Sequence, residues 1–407
     1  MRKRVIVLAF ILALAIIVFG TPKLQQLIAG SNNPSVQSDD PSEPNTGQNI
    51  DTKGNTSHDN SDKTIKNNEN NIPAESPVPS ESDERPRDEE PVEEEPVEIR
   101  ISFAGDCTIG TDDTFTYVNS FPDRYDKIGR DDSYFFKGVE SVFHNDDLTL
   151  VNLETTFTTA KKKADKTFRF KGDPSYVNIL TEGSIEMVNI SNNHIYDYLE
   201  QGFQDTLETL EQAGIYYSGE GHIAYYETKG ITIASIGYVA WSTDIQDSLK
   251  KDIAEARENA DLVIVSFHWG KERSNYPNSV QTQLGRFSID EGADIVVGHH
   301  PHVIQGIDKY KGKYIVYSLA NFCFGGNRNP ADKDTFIFQG LFTFQNGELI
   351  ENDGTIYACR VSSVNNVNDY QPTLLKGEDR ERVINRILKY SEKLNYGITM
   401  EDVNFSE

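Results

Sequence analysis

Five short apolar runs in this chain each stop at a carboxylate, an amide or an imidazole. Val97, Ile99, Ile101 and Phe103 alternate and lead into Gly105-Asp106. Leu148 to Leu153 ends at Glu154, and Ile185 to Ile190 runs into Ser191-Asn192-Asn193-His194. Leu262 to Phe267 ends at His268, and Ile295 to Val297 passes through Gly298 into His299-His300-Pro301-His302. Period-two alternation and short apolar runs read as strands. Residues 202–213, 248–260 and 280–289 carry helical spacing, the first closed by Gly214. Strands alternating with helices specify an α/β fold with a largely parallel sheet. Further strands are expected at 231–239 and 314–319. A hairpin is expected from 335–344 and 348–356, because Asn346-Gly347 suits the positive φ angles of a tight turn. An amphipathic helix is expected over 379–394.

In open α/β sheets, ligand sites assemble beyond the carboxyl ends of strands. Asp106, Glu154, Asn193, His268, His300 and His302 all stand there, so they are expected to converge. One carboxylate after a strand is usually a cap or a turn residue. Five strands ending this way are hard to assign to turns alone. His299, His300 and His302 fall within four residues of a chain with only 8 His. Extended backbone across Pro301 would point His300 and His302 to the same side. Carboxylate, amide and imidazole together suit Zn, Mn or Fe rather than Ca. Six ligands exceed one four-coordinate zinc. Two ions sharing a carboxylate, about 3.5–4 Å apart, fit better. His194 stands beside an expected ligand and is placed to donate a proton, with Asp197 to orient it.

The chain has 407 residues and a net charge of -25. Such acidity argues against nucleic acid as a partner. Residues 1–30 read as a targeting segment: Arg2-Lys3-Arg4, then an apolar run from Val5 to Phe19. That run is shorter than the ~20 residues of a full span, but Leu24, Leu27 and Ile28 extend it. It is expected to be an uncleaved signal-anchor in the cell membrane, with the bulk of the chain outside; the alternative is secretion after cleavage. Residues 31–97 hold too few large apolar residues to order themselves and read as an acidic linker. The folded part divides by sequence into a domain, 98–345, and a C-terminal hairpin and helical extension, 346–407. The three cysteines are widely spaced and form no disulfide framework.

The motifs GD (105–106), NLE (152–154), NNHxxD (192–197), HWGxE (268–272), GADIVVGHHPH (292–302) and YSLANF (317–322) resemble the CapA family. Those are poly-γ-glutamate capsule biosynthesis proteins within the calcineurin-like metallophosphatase superfamily. The resemblance covers roughly residues 98–326. It implies a sandwich of mixed sheets flanked by helices, and a role in making or exporting an anionic polymer with its synthesis or export machinery. It implies that Asp106 and His302 hold one ion, that Glu154 bridges, and that Asn193, His268 and His300 hold a second. His194 would be the general acid; Asn152, Glu272 and Asn321 would line a substrate site. The sequence departs from ordinary metallophosphatases at Thr108, where they carry His, and at Asn152-Leu153-Glu154, where they carry Gly-Asp. A metal-dependent hydrolase of phosphoesters or γ-glutamyl amides, and a scaffold with a vestigial site, both stay open.

Overall fold

The computed structural model describes residues 95–406. The expected segment 1–30 and nearly all of the linker 31–97 lie outside them. In chain order the main elements are β1 (Val97–Thr108), β2 (Leu148–Leu153), β3 (Met187–Asn189), α1 (Leu199–Ala213), β4 (Ile231–Ala240) and α2 (Gln246–Asn259). There follow β5 (Leu262–Trp269), α3 (Ser279–Glu291), β6 (Ile295–His299), β7 (Asn321–Phe324), β8 (Asp334–Gln345), β9 (Glu348–Arg360) and α4 (Gly377–Ser391).

They form two mixed sheets flanked by helices. A nine-stranded sheet runs Thr373–Leu374, β9, β8, β1, β2, β3, Tyr216–Ser218, with β7 also on β1 and Asn404–Phe405 also on β9. β1, β2 and β3 are parallel to one another, and β8 is antiparallel to β1. A six-stranded sheet has β4, β5 and β6 parallel at its centre, with Lys313–Val316 continuing them. The expected strand 314–319 thus ends early, and Tyr317 to Ala320 leave the ladder to bring β7 beside Asp106.

The sheets pack face to face. Ile99, Ile101 and Phe103 of β1 share one fully buried cluster with Ile233, Ile264 and Val297 of the other sheet. A second cluster fills the outer face of the larger sheet, where Phe203, Leu207 and Leu210 of α1 pack beneath Val151 and Val188. A third covers the smaller sheet with Leu249 and Ile253 of α2 and Leu284 of α3. Burying one such side chain contributes ~1.5–3 kcal/mol. Both parallel sets therefore read as apolar runs, because both faces are covered. The stretch 346–407 shares this core: β9 pairs along β8, and Val383, Ile384 and Ile387 of α4 join the inter-sheet cluster. Among the described residues no helix is long and apolar enough to cross a membrane.

Candidate metal centre

Both parallel strand sets end at one place. Asp106 stands two residues before the end of β1, and its N–H donates to the carbonyl of Ala320 at 2.9 Å. That approach requires glycine before it, since a Cβ at Gly105 would run into the same carbonyl. Glu154 follows β2 directly, its N–H donating to the carbonyl of Cys107 at 2.9 Å. Asp106 and Glu154 are fully buried. From the other sheet come His268, on β5, and His300 and His302, in the loop after β6. Three overlapping sets offer ligand atoms within 4.8 Å of one another: Glu154, His268 and His300; Asp106, Glu154 and His302; and Glu272, His300 and His302. The convergence expected from the strand ends is therefore present in the fold.

His302 Nδ1 lies 3.0 Å from Asp106 Oδ2, and its Nε2 lies 3.8 Å from Glu154 Oε1. His268 Nε2 lies 3.1 Å from His300 Nδ1, 3.7 Å from Glu154 Oε1 and 2.7 Å from Asn193 Oδ1. The route by which His300 and His302 meet differs from the extended one expected. His300 has φ 92° and His302 φ 57°, so both sit in the left-handed region. Their rings still approach to 5.7 Å between centroids. Non-glycine residues hold such backbone only where the surroundings dictate it, typically at functional sites.

Burial dominates the electrostatics. It pushes Glu154 well above its ordinary value, and it pushes His268 well below and His300 down to about 4. Burial works against charge on His302 as well, but the Glu154 and Asp106 carboxylates outweigh it and raise His302 to about 10. Burial would raise Asp106, yet the hydrogen bond and charge of His302 hold it well below the usual carboxylate range. Neither oxygen of Glu154 receives a hydrogen bond, although both are buried. An orphaned buried carboxylate carries a desolvation cost of several kcal/mol. A divalent cation among these oxygens and imidazoles would satisfy it, so the donor set fits a metal ion.

His194 lies beside this cluster. Its Nδ1 is 2.6 Å from Asp197 Oδ2, and a carboxylate accepts, so Nδ1 carries the hydrogen. Nε2 then faces the cluster, 3.9 Å from Glu154 Oε1. Asp197 is fully buried and held on three sides: it also accepts from the Phe170 N–H at 2.6 Å and from Lys166 Nζ at 2.7 Å.

A cavity of about 540 Å³ opens over the centre, lined in part by His194, Glu272, His302 and Asn321. Glu272 and Asn321 thus stand at its wall. Asn152 lies instead beneath the site, fully buried. Its amide N–H donates to Asp106 Oδ1 at 2.8 Å and its oxygen accepts from Asn189 at 2.8 Å, so it aims Asp106. Two neighbours escaped the sequence reading. Lys166 is one. The other is Trp241, half-exposed, with its ring edge against His300 at 4.7 Å. Trp241 follows β4, so the strand-end rule that found the others would have found it too.

The model of the family "Bacterial capsule synthesis protein PGA_cap" matches residues 100–326. The chain belongs to that family. It is 35% identical over 251 residues to the PGA biosynthesis protein CapA of Bacillus subtilis, covering 55% of this chain and 62% of that one. It is 33% identical over 256 residues to the capsule biosynthesis protein CapA of Bacillus anthracis, covering 56% and 60%. The match thus spans about six-tenths of the length of each relative. Among solved structures, a hypothetical protein from Thermus thermophilus aligns at TM-score 0.42 and 16% identity, over 64% of this chain and 99% of that one. A putative 5'-nucleotidase from Staphylococcus aureus aligns at TM-score 0.40 and 13% identity, over 72% and 59%. Every residue of the centre, from Asp106 to Asn321, lies within the family match; β8, β9 and α4 lie beyond it.

Proposed function

We propose that this chain acts in the synthesis or export of a poly-γ-glutamate-type capsule polymer, through a metallophosphatase-like domain that keeps metal-dependent hydrolytic chemistry. The bond cut is a γ-glutamyl amide of the polymer or a phosphoester. The polymer side of this reading rests on the PGA and capsule biosynthesis relatives. The chemical side rests on one observation: Glu154, buried with both oxygens unbonded, is ringed by His268, His300 and His302. In this reading residues 1–30 anchor the chain in the cell membrane and the domain works outside.

Asp106, Glu154, Asn193, His268, His300 and His302 would hold one or two ions of Mn, Zn or Fe. A bound divalent ion supplies positive charge for an anionic transition state and acidifies water. His268 and His300, held neutral by burial, are in the form that ligates. Hydrolysis joins a water oxygen to the acyl carbon or phosphorus and breaks the bond to the leaving group. His194 Nε2, which holds no hydrogen while Nδ1–H donates to Asp197, takes a proton from the attacking water and hands it to the leaving group; Asp197 keeps Nδ1–H fixed and Lys166 keeps Asp197 fixed. An intact His194–Asp197 pair beside the cluster favours retained chemistry over a vestigial scaffold.

The test is elemental analysis of the full chain purified in detergent, paired with phosphoester and γ-glutamyl amide substrates. About one to two equivalents of metal are expected. His194→Ala should cut turnover by about 10²–10⁴ with the metal retained. A stable protein that holds no metal overturns the reading, and equal loss of metal in His194→Ala makes His194 a ligand.

A further inference from the structure

The cavity over the centre does not end there. A second cavity, also about 540 Å³, shares Phe168, Gly326, Asn327 and Asn329 with the first. Sharing four wall residues, the two adjoin and lie end to end as a trough. One end is at His194 and His302, and the other is at Arg328 and Asn366.

Its lining is mixed in a particular way. Phe168 sits at the junction, half-exposed, edge-on to Phe115 at 6.2 Å and stacked on Phe170 at 6.5 Å. Asn327 and Asn329 use their side-chain oxygens inside the loop: Asn327 accepts from the Asn329 N–H at 2.9 Å, and Asn329 from Lys333 Nζ at 2.6 Å. Their side-chain N–H groups donate to no protein acceptor among the described residues, and both residues line the two cavities. Arg273 stands at the near end and Arg328 at the far end. Of the acidic lining, Asp332 is paired with Arg386 at 2.5 Å, which leaves Glu272 at the centre itself.

The loop that carries Phe168 into the trough is also the most basic stretch of an acidic chain. Residues 161–171 read KKKADKTFRFK, six basic side chains against one acidic, in a protein of net charge -25. Lys163 and Lys166 are tied to Asp113 and Asp197, whereas Lys161 and Lys162 are exposed. Cations and amide donors call for a ligand rich in carboxylates and carbonyl oxygens. An exposed phenyl ring calls for methylene groups to cover it. Polyphosphate offers the charge without the methylenes.

We propose that the trough binds several consecutive units of an extended anionic polyamide and presents one of its bonds to the His194–His302 end. This rests on the polymer reading above. The substrate is then a chain rather than a monomer, and recognition grows with its length.

The experiment measures binding of fluorescent γ-linked glutamate oligomers, from dimer to about decamer, to the full chain in detergent. Affinity should rise about tenfold or more with length, as further anchors engage. Phe168→Ala with Arg328→Ala should flatten that rise to about twofold. Lys161→Gln with Lys162→Gln, both exposed and harmless to folding, should weaken the longest oligomer most, and more so at low salt. Equal affinity at every length overturns the trough and leaves the polymer role standing. No binding at any length overturns both. Polyphosphate bound as tightly as the decamer overturns the polyamide and leaves only a polyanion site.

Discussion

The two sheets meet at the centre with opposite chemistry. The nine-stranded sheet delivers oxygen: Asp106, Glu154 and, just past β3, Asn193. The six-stranded sheet delivers imidazole: His268, His300 and His302. The oxygen side stands on strand backbone that shifts register at Asp106, with Asn152 and Asn189 bonded beneath it. The imidazole side depends on a loop in left-handed backbone at two residues. Each side is unfavourable alone. One buries the oxygens of Glu154 without donors, and the other packs the neutral rings of His268 and His300 against each other. A cation at the seam resolves both, which is why the site belongs to the junction and to neither sheet.

The largest break in that comparison is Glu154→Gln. Glu154 belongs to both sets that do without the exposed Glu272, so the variant should keep less than about a tenth of the bound metal. Stability should shift in opposite directions. With metal, the variant should lose the stabilisation that binding supplies to the folded state. Stripped by chelator, it should unfold no earlier than the parent, because an amide costs less to bury than an orphaned carboxylate. Thermal melts with and without chelator read both signs. Unchanged metal content would remove Glu154 as a ligand.

A smaller break falls on the imidazole side. His300→Ala removes one of three imidazoles and leaves Asp106, Glu154 and His302 as a set. Metal affinity should drop by about 10–100-fold rather than vanish, read by chelator competition. If His300→Ala empties the site as fully as Glu154→Gln, the remaining set does not bind alone.

These asymmetries explain what the sequence disclosed. Asp106, Glu154 and His268 were legible because an apolar run followed by one polar residue is a local signal. α1 and α3 were legible by periodicity. The segment between β1 and β2 was not: its helices, such as Phe121–Lys127, are too short to show a period, and Phe121 and Phe135 are buried by contacts with distant chain. The backbone of His300 was misjudged because the residue before a proline ordinarily prefers extended conformation; the hydrogen bond from its N–H to Asp106 Oδ2 at 3.3 Å is tertiary. Asn152 was placed at the substrate wall because spacing cannot say which side of a strand end faces the cavity. Lys166 was missed because its partner, Asp197, lies on another loop.

The smallest expected effect sharpens the comparison from outside the site. β2 has a carboxylate near each end: fully buried Glu154 just after it and half-buried Asp146 two residues before it. Burial raises both, with Glu186 and Asp147 adding to the rise at Asp146, which reaches about 7. No imidazole set surrounds Asp146; it accepts a hydrogen bond from Thr149 Oγ1 at 2.7 Å. Its folded value is above its unfolded one, so between about pH 4 and 7 the folded state holds a proton that the unfolded state has released. Its contribution is therefore full below about pH 4 and is lost as pH rises through about 7. Asp146→Asn keeps an acceptor for Thr149 and abolishes the slope. Relative to the parent it should gain on the order of 2–4 kcal/mol between pH 4 and 8 in urea unfolding, the lower figure allowing for solvent screening of a half-buried group. Saturating Mn or Zn should leave that gain unchanged, because no cation reaches Asp146, whereas it should erase any pH dependence that chelated protein owes to Glu154. A metal-sensitive slope at Asp146 would mean that burial alone, and not the imidazoles opposite, makes a carboxylate on this strand a cation site.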